Sequence, residues 1–507
     1  MKKNINLRII VGLIISLALL TWLVPAGRFD MAGLAVDQLN PVGFWGLLSY
    51  PLMEGVQYFL IYGIFALAIG GLYGVINKTG AYKNLLDTIV KKFKKKEIWF
   101  VAGTVVVMAG LSATTGATLP LLVFVPFLVS IILLLGYDKL VAILATVGAL
   151  LVGSIGAIYG FTNAVFFRQA LQIENVTAGW PYALALLVGG VALIIWYVVC
   201  YEKKKKSVKK AELDKTDTLF YGGKKTKKPV WPLVTVFATT FVITILSTIS
   251  WVTLFGERNA ELNIFQNAYE WLMTYEIAGF TLFANIFGRM SVFGEWTITD
   301  ITALVLVATL VIGLLYRVKL KDMYEGFVEG VNKLAGTAFI IWLIYTILII
   351  TVYHPFFLTI MTGLVNITSG FNPITFSVIT TVATVLHVDT EYFANIVVPV
   401  LPMVYEGINT THLAVFAQSI HSFVLLLVPT SVVLIFGLTY LDVPYTTWMK
   451  FIWKFAAALF VLIAIVISIL TSTYSMLIFV LVLAIICVVC KKFICPKLNF
   501  KNKKKKK

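Results

Sequence analysis

With 507 residues, 60% of them hydrophobic and 13% charged, and a mean hydropathy of +0.92, the chain is too apolar for a soluble protein, where about 45–50% apolar and about 25% charged residues are usual. The net charge of +17 is concentrated in Lys91–Lys96, Lys203–Lys210, Lys224–Lys228 and Lys503–Lys507, which alternate with apolar spans. That placement follows the positive-inside rule rather than nucleic-acid binding, so the runs mark cytoplasmic segments with some attraction to anionic lipid.

Residues 8–25 form a first helix that starts beside Lys2, Lys3 and Arg8; no small-x-small cleavage site follows, so it is read as an uncleaved span with Trp22 at the interface. Residues 26–52 read as an outer loop, and residues 55–77 as a second span. Leu85, Leu86, Ile89, Val90 and Phe93 then give an amphipathic surface helix before the dense apolar block 98–200. Within that block Ser112, Thr114, Thr115, Gly116 and Thr118 make a polar cluster ahead of Pro120 and Pro126, which suggests a hairpin tip near 112–126. A second interruption follows at Gly160–Asn163. Residues 202–230 are a basic linker that divides the chain into a first half (1–201) and a second half (231–490), with a basic tail at 491–507. In the second half, spans are expected at 231–252, 301–316, 334–353, 451–470 and 473–490. At about 20 residues per span, the whole chain holds about ten to twelve crossings. The basic character of both ends favours an even count, with both termini in the cytoplasm. Cys487 and Cys490 have C-x-x-C spacing, but without a partner pair they read as helix-end residues.

The second dense block, 373–441, carries the chemistry. His387, Asp389, Thr390, Glu391, Asn395 and His421 lie in an apolar stretch, with Glu406 and His412 between them, and Pro399, Pro402 and Pro429-Thr430-Ser431 break it. Ionisable groups at membrane depth cost roughly 2.5–3.5 kcal/mol each on insertion scales. Irregular backbone there is tolerated only where protein or a cavity covers it. Both costs in one segment point to a binding site. Asp389 and Glu391 suit a cation, a proton or an ammonium group, with His387 and His421 as partners. His354 and His412 are read as facing loops. No H-x-x-x-H spacing supports a structural metal. The two halves share a pattern of paired polar interruptions (112–126 with Gly160–Asn163; 387–402 with Pro429–Ser431), which in transporters marks a midplane site.

Short strings along most of the chain, Thr21–Phe29 (TWLVPAGRF), Leu135–Asp138 (LGYD), Phe293–Trp296 (FGEW), Val428–Leu434 (VPTSVVL) and Val443–Trp448 (VPYTTW), resemble in order those of the anaerobic dicarboxylate carrier-like (YfcC/DcuC) family of the ion transporter superfamily. The resemblance implies two inverted repeats, each with a re-entrant hairpin and a broken helix, meeting at a central substrate and cation site. It also implies that Pro429-Thr430-Ser431 is the second break and that residues 387–391 are the second hairpin tip. Three departures stand out. The second tip reads His387-Val-Asp-Thr-Glu391 where a Gly/Ser-rich run is usual. The first hairpin has no acid between Glu97 and Asp138. Ser419–Phe423 (SIHSF) replaces an acidic, Gly-rich run.

The reading is therefore an all-α polytopic membrane protein that moves a small carboxylate or amino acid across the cytoplasmic membrane by alternating access. Its expected partners are the solute, the bilayer and, as an open option, a second copy in a homodimer. No cofactor is expected beyond a coupling proton or sodium ion. No G-x-x-x-x-G-K-[ST] run supports ATP hydrolysis. A membrane-embedded lipid-modifying enzyme and a channel are the alternatives.

Overall fold

A computed structural model describes residues 5–30, 33–160, 164–205, 226–255, 263–288, 290–366, 372–404 and 408–489. Asn163, Glu406, Cys490, most of the basic linker and the lysine tail lie outside the described residues. Among the described residues the chain is helical apart from two small hairpins. One pairs β1 (Gly27–Asp30) with β2 (Gly33–Val36), and the other joins Glu276–Ile277 to Phe280–Thr281. The expected outer loop thus holds a β-hairpin and a short helix, Phe44–Met53.

In chain order the helices that frame the site are α1 (Ile5–Leu20), α2 (Gly55–Thr79), α3 (Glu97–Thr115), α4 (Pro120–Leu134), α5 (Lys139–Ile155), α6 (Phe166–Ala170) and α7 (Trp180–Lys205). The second half holds α8 (Trp231–Thr248), α9 (Ile298–Leu315), α10 (Leu320–Tyr353), α11 (Phe356–Asn366), α12 (Pro373–Leu386), α13 (390–404), α14 (Thr410–Leu425), α15 (Val432–Tyr440), α16 (Tyr445–Thr471) and α17 (Ser475–Val489). Seven of them, α2, α3, α7, α8, α9, α10 and α16, are long and apolar enough to cross a membrane. Their outer surfaces keep apolar side chains exposed, such as Val307, Leu310 and Leu314 on α9 and Ile469 on α16, as lipid contact requires. Exposed Trp22, Trp99, Trp180 and Trp231 sit at the ends of spans, where indole rings favour the headgroup level.

The spine of the fold is the antiparallel pair α2 and α10. Small residues let the two backbones touch: a Cβ on Gly330 would lie 1.9 Å from the Gly70 carbonyl oxygen, and one on Gly74 would lie 2.0 Å from that of Gly326. Van der Waals packing, not the hydrophobic effect, drives such contacts in lipid. The Lys78–Glu329 ion pair, 3.1 Å, closes the basic end of the pair, and the Trp342 indole donates to the Pro51 carbonyl at 2.8 Å at the other. Gly330→Ala should force the pair apart. We expect a loss of about 1–3 kcal/mol, measured as a lower thermal midpoint of the purified protein, with Gly336→Ala, where a Cβ meets nothing, as the unaffected control.

Turn chemistry sets the hairpins. Asp138 of the LGYD string accepts from the Val141 amide at 2.9 Å and from the Tyr201 hydroxyl at 2.8 Å. It therefore caps α5 and anchors the end of α7. Asn372 and Asn409 cap α12 and α14 in the same way. Gly116, with φ of 72°, ends α3 in the left-handed region.

Candidate functional site

α12 runs to Leu386, the chain turns through His387–Asp389, and α13 returns beside it. The side chain that organises this tip is Asp389. Its Oδ1 accepts from the Glu391 amide at 2.8 Å, capping α13. Its Oδ2 accepts from the Tyr62 hydroxyl at 3.1 Å and the Tyr345 hydroxyl at 3.0 Å. No lysine or arginine pairs with it among the described residues. The carboxylate is thus held by neutral donors, each worth about 1.5–3 kcal/mol when the acceptor is charged, rather than by a basic side chain among the described residues.

The phenols are ordered by stacking. The Tyr345 ring lies 4.5 Å from Tyr58 with planes 7° apart, and 4.8 Å from Tyr62 with planes 8° apart. Tyr58 and Tyr62 are four residues apart on α2, and the π-helical segment Phe59–Gly63 starts directly after Tyr58 and includes Tyr62. The wider turn opens room for the Tyr345 ring to enter from α10, a use of π-bulges common at functional sites. The Tyr58 and Tyr392 hydroxyls share a hydrogen bond at 2.5 Å. Glu391 and Asn395 are exposed, while Asp389, Thr390, Tyr58 and Tyr62 are half-buried. The tip is therefore an accessible acidic patch walled by aromatic rings.

His421, buried on α14, joins this patch to the helix break. Its Nε2 is 3.1 Å from Thr390 Oγ1 and its Nδ1 is 3.0 Å from Thr384 Oγ1. Its ring stacks on Phe393 at 4.3 Å. His387 points elsewhere: its Nδ1 bonds the Ala383 carbonyl at 3.1 Å, and its ring meets Phe357 edge-on. α14 ends at Leu425 and α15 begins at Val432, so Pro429-Thr430-Ser431 lies in a true break. The freed carbonyls are served from α16: Tyr445 donates to Leu427 O at 2.5 Å and Trp448 to Leu426 O at 3.2 Å. The VPYTTW string thus carries side chains that close the break. Ser431 caps α15 through the Leu434 amide, 3.4 Å. Thr430 Oγ1 is buried and has no hydrogen-bond partner among the described residues.

In the first half, Ser112, Thr118 and Ser154 form a triangle of hydroxyls with sides of 2.9, 3.1 and 3.2 Å. The α5 break is laid directly on the α3 tip: the Ile158 amide donates to Ala113 O at 2.9 Å, and a Cβ on Gly160 would lie 2.4 Å from the Gly116 nitrogen. Thr115 is used locally, donating to Leu111 O and accepting from the Ala117 amide. Thr114 is exposed, bonds Gly110 O, and makes no contact with the triangle.

Arg168 and Gln418 connect the two halves. Arg168 is fully buried on α6. Its guanidinium donates to Ala164 O at 2.8 Å, to Ala178 O at 3.1 and 2.8 Å, and to Gln418 Oε1 at 3.1 Å. Gln418 in turn donates to Ala157 O at 3.0 Å. Since Gln418 is one turn before His421, a single face of α14 touches the first-half break and the second-half tip.

The sequence reading expected its site residues at one central site; the structure brings Asp389, Thr390, Glu391 and His421 to one place and Ser112, Gly116 and Thr118 to another. The sequence reading passed over Tyr58, Tyr62, Tyr345, Tyr392, Ser154, Arg168 and Gln418. Arg168 had a signal: it is the one charged residue between Lys139 and Glu174, and an ionisable group at membrane depth is a site candidate by default. His354, expected to face a loop, is buried and bonds the Tyr50 hydroxyl at 2.8 Å and the Asn40 carbonyl at 2.6 Å, so it ties α10 to the loop it was expected to face.

The family model described as C4-dicarboxylate anaerobic carrier matches residues 4–472. The chain belongs to this family. It is therefore a multi-pass membrane protein of a transporter family. A Haemophilus influenzae relative described as an uncharacterized protein is 24% identical over 441 residues, covering 84% of this chain and 79% of the relative. The putative basic amino acid antiporter YfcC of Escherichia coli is 24% identical over 158 residues, 30% of this chain and 29% of its own. Among solved structures, the Alcanivorax borkumensis YdaH transporter overlaps at TM-score 0.39 and 12% identity, covering 92% of this carrier and 98% of YdaH. MtrF of Neisseria gonorrhoeae overlaps at TM-score 0.39 and 15% identity, covering 91% and 94%.

Proposed function

We propose that this carrier is a secondary active transporter of a small amino acid bearing a positively charged group, and that the ammonium or basic side chain is received at Asp389. The observation that carries the reading is the Asp389 carboxylate held by Tyr62 and Tyr345 with no cationic partner among the described residues. A cation entering beside it gains the carboxylate charge and the faces of stacked phenols, about 0.5–2 kcal/mol per ring. Exposed Glu391 adds attraction, and the same two acids repel a dianion. The buried hydroxyls of Ser112, Thr118 and Ser154, a separate cluster in the first half, supply neutral groups for a coupling proton or sodium ion. α3–α4 and α12–α13 act as two oppositely oriented re-entrant hairpins, α5–α6 and α14–α15 as the broken helices, and rocking about α2–α10 gives alternating access. The lysine-rich segments and both termini lie in the cytoplasm.

A C4-dicarboxylate is the second reading, supported by the family description and by the buried positive charge of Arg168. Uptake of radiolabelled arginine, lysine, neutral amino acids and C4-dicarboxylates into proteoliposomes, with and without a sodium or proton gradient, separates the two. Saturable uptake of a cationic or zwitterionic amino acid is expected. Uptake of dicarboxylates alone would overturn the proposal, and release of a modified lipid without solute flux would favour an enzyme.

A further inference from the structure

We propose that the cavity between α1, α10 and α15, at the basic end of α10, binds the phosphoethanolamine headgroup of a membrane lipid. The cavity measures about 210 Å³ and lies away from the Asp389 tip. Lys333 of α10 and Asp442, in the turn after α15, both line it. The two side chains offer opposite charges at one cavity, the complement of a phosphate joined to an ammonium by two carbons. The floor is polar, where the Thr337 and Thr439 hydroxyls meet at 2.8 Å. One wall is pinned by Asn6, which donates to Val443 O at 3.1 Å and accepts from the Tyr445 amide at 2.8 Å. That double bond of one side chain fixes the start of α1 against the turn that carries Asp442. The turn itself has Asp442 at φ of 52°, a left-handed conformation that Asp tolerates better than most residues.

Depth argues for a lipid. Lys333 is the last charged residue of α10 before the uncharged stretch 334–353, and α1 carries no charge beyond Arg8. The cavity therefore sits where charged surface gives way to apolar helix, the level of headgroups. Phe339, exposed on α10, also lines it, so an acyl chain can leave the cavity along apolar surface. Lys333 also interacts with Glu329 at 3.6 Å; this pair is exposed enough to be weak, and a phosphate can share the ammonium. The side chain of Asp442 is exposed and makes no hydrogen bond or ion pair among the described residues. A primary ammonium can donate to it, whereas the quaternary ammonium of phosphocholine has no N–H to give.

The test is a thermal-shift titration of the purified full-length protein in detergent with dihexanoyl phosphatidylethanolamine, phosphatidylcholine and phosphatidylglycerol, and with O-phosphoethanolamine alone. Half-saturation by the ethanolamine lipid is expected at a concentration about tenfold below that of the other two lipids, the scale of one charge-assisted hydrogen bond. D442N should abolish that preference, and K333Q, which loses the phosphate contact common to the three lipids, should raise the half-saturating concentration of each; both positions are partly or fully exposed, so the starting midpoint should stay. Equal response to phosphatidylglycerol would reduce the site to an anion site and overturn the headgroup assignment. An equal shift by O-phosphoethanolamine would overturn the lipid source, and an unchanged preference in D442N together with unchanged half-saturation in K333Q would place the lipid elsewhere.

Discussion

Asp389→Asn should reduce uptake by about 10- to 100-fold in proteoliposomes while leaving the thermal midpoint nearly unchanged. The amide oxygen can still cap α13 through the Glu391 amide, and the amide nitrogen that replaces Oδ2 can donate to a phenol oxygen, so the tip keeps its shape. What is lost is the negative charge, and a charge-assisted contact to a bound cationic group is worth about 1.5–3 kcal/mol, which converts to about that range of affinity. Tyr62→Phe removes one of the two phenol donors and keeps the ring stack with Tyr345. It should cost less, about two- to tenfold. Wild-type uptake and ion dependence in Asp389→Asn would place substrate recognition away from this tip.

Arg168→Ala should be the most destabilising single change in the site, by about 3–5 kcal/mol, read from the thermal midpoint and the yield of monodisperse protein. The guanidinium serves the Ala164 and Ala178 carbonyls and Gln418, and its removal leaves buried acceptors without donors, at about 1–3 kcal/mol each. Lysine keeps the charge but lacks the planar fork that reaches both carbonyls at once. Arg168→Lys should therefore recover only part of the loss. Because Gln418 also holds Ala157 O, both variants should loosen the contact of the first-half break with α14. We expect transport in Arg168→Lys to fall more than its stability does. Equal midpoints for wild type and Arg168→Ala would mean that the connection between the halves rests on other contacts.

The sequence by itself determined the membrane class, because bilayer thickness and the cost of buried charge act on composition and span length, both of which are local. It determined the second break too, since Pro429 removes a backbone donor wherever it sits, and α14 does end before it. LGYD and VPYTTW were legible as strings, and the structure shows their work as a helix cap and as plugs for freed carbonyls. Tertiary structure alone decided which side chains share the site. Tyr58 and Tyr62 become a cage only when a π-helical turn lets Tyr345, nearly three hundred residues away in sequence, slide between them, and no period in either segment encodes that insertion. His387 and His421 looked equivalent as buried imidazoles. The geometry turned the first toward its own helix backbone and the second toward Thr390, because helix rotation, set by packing against Phe357 and Phe393, chooses where each ring points.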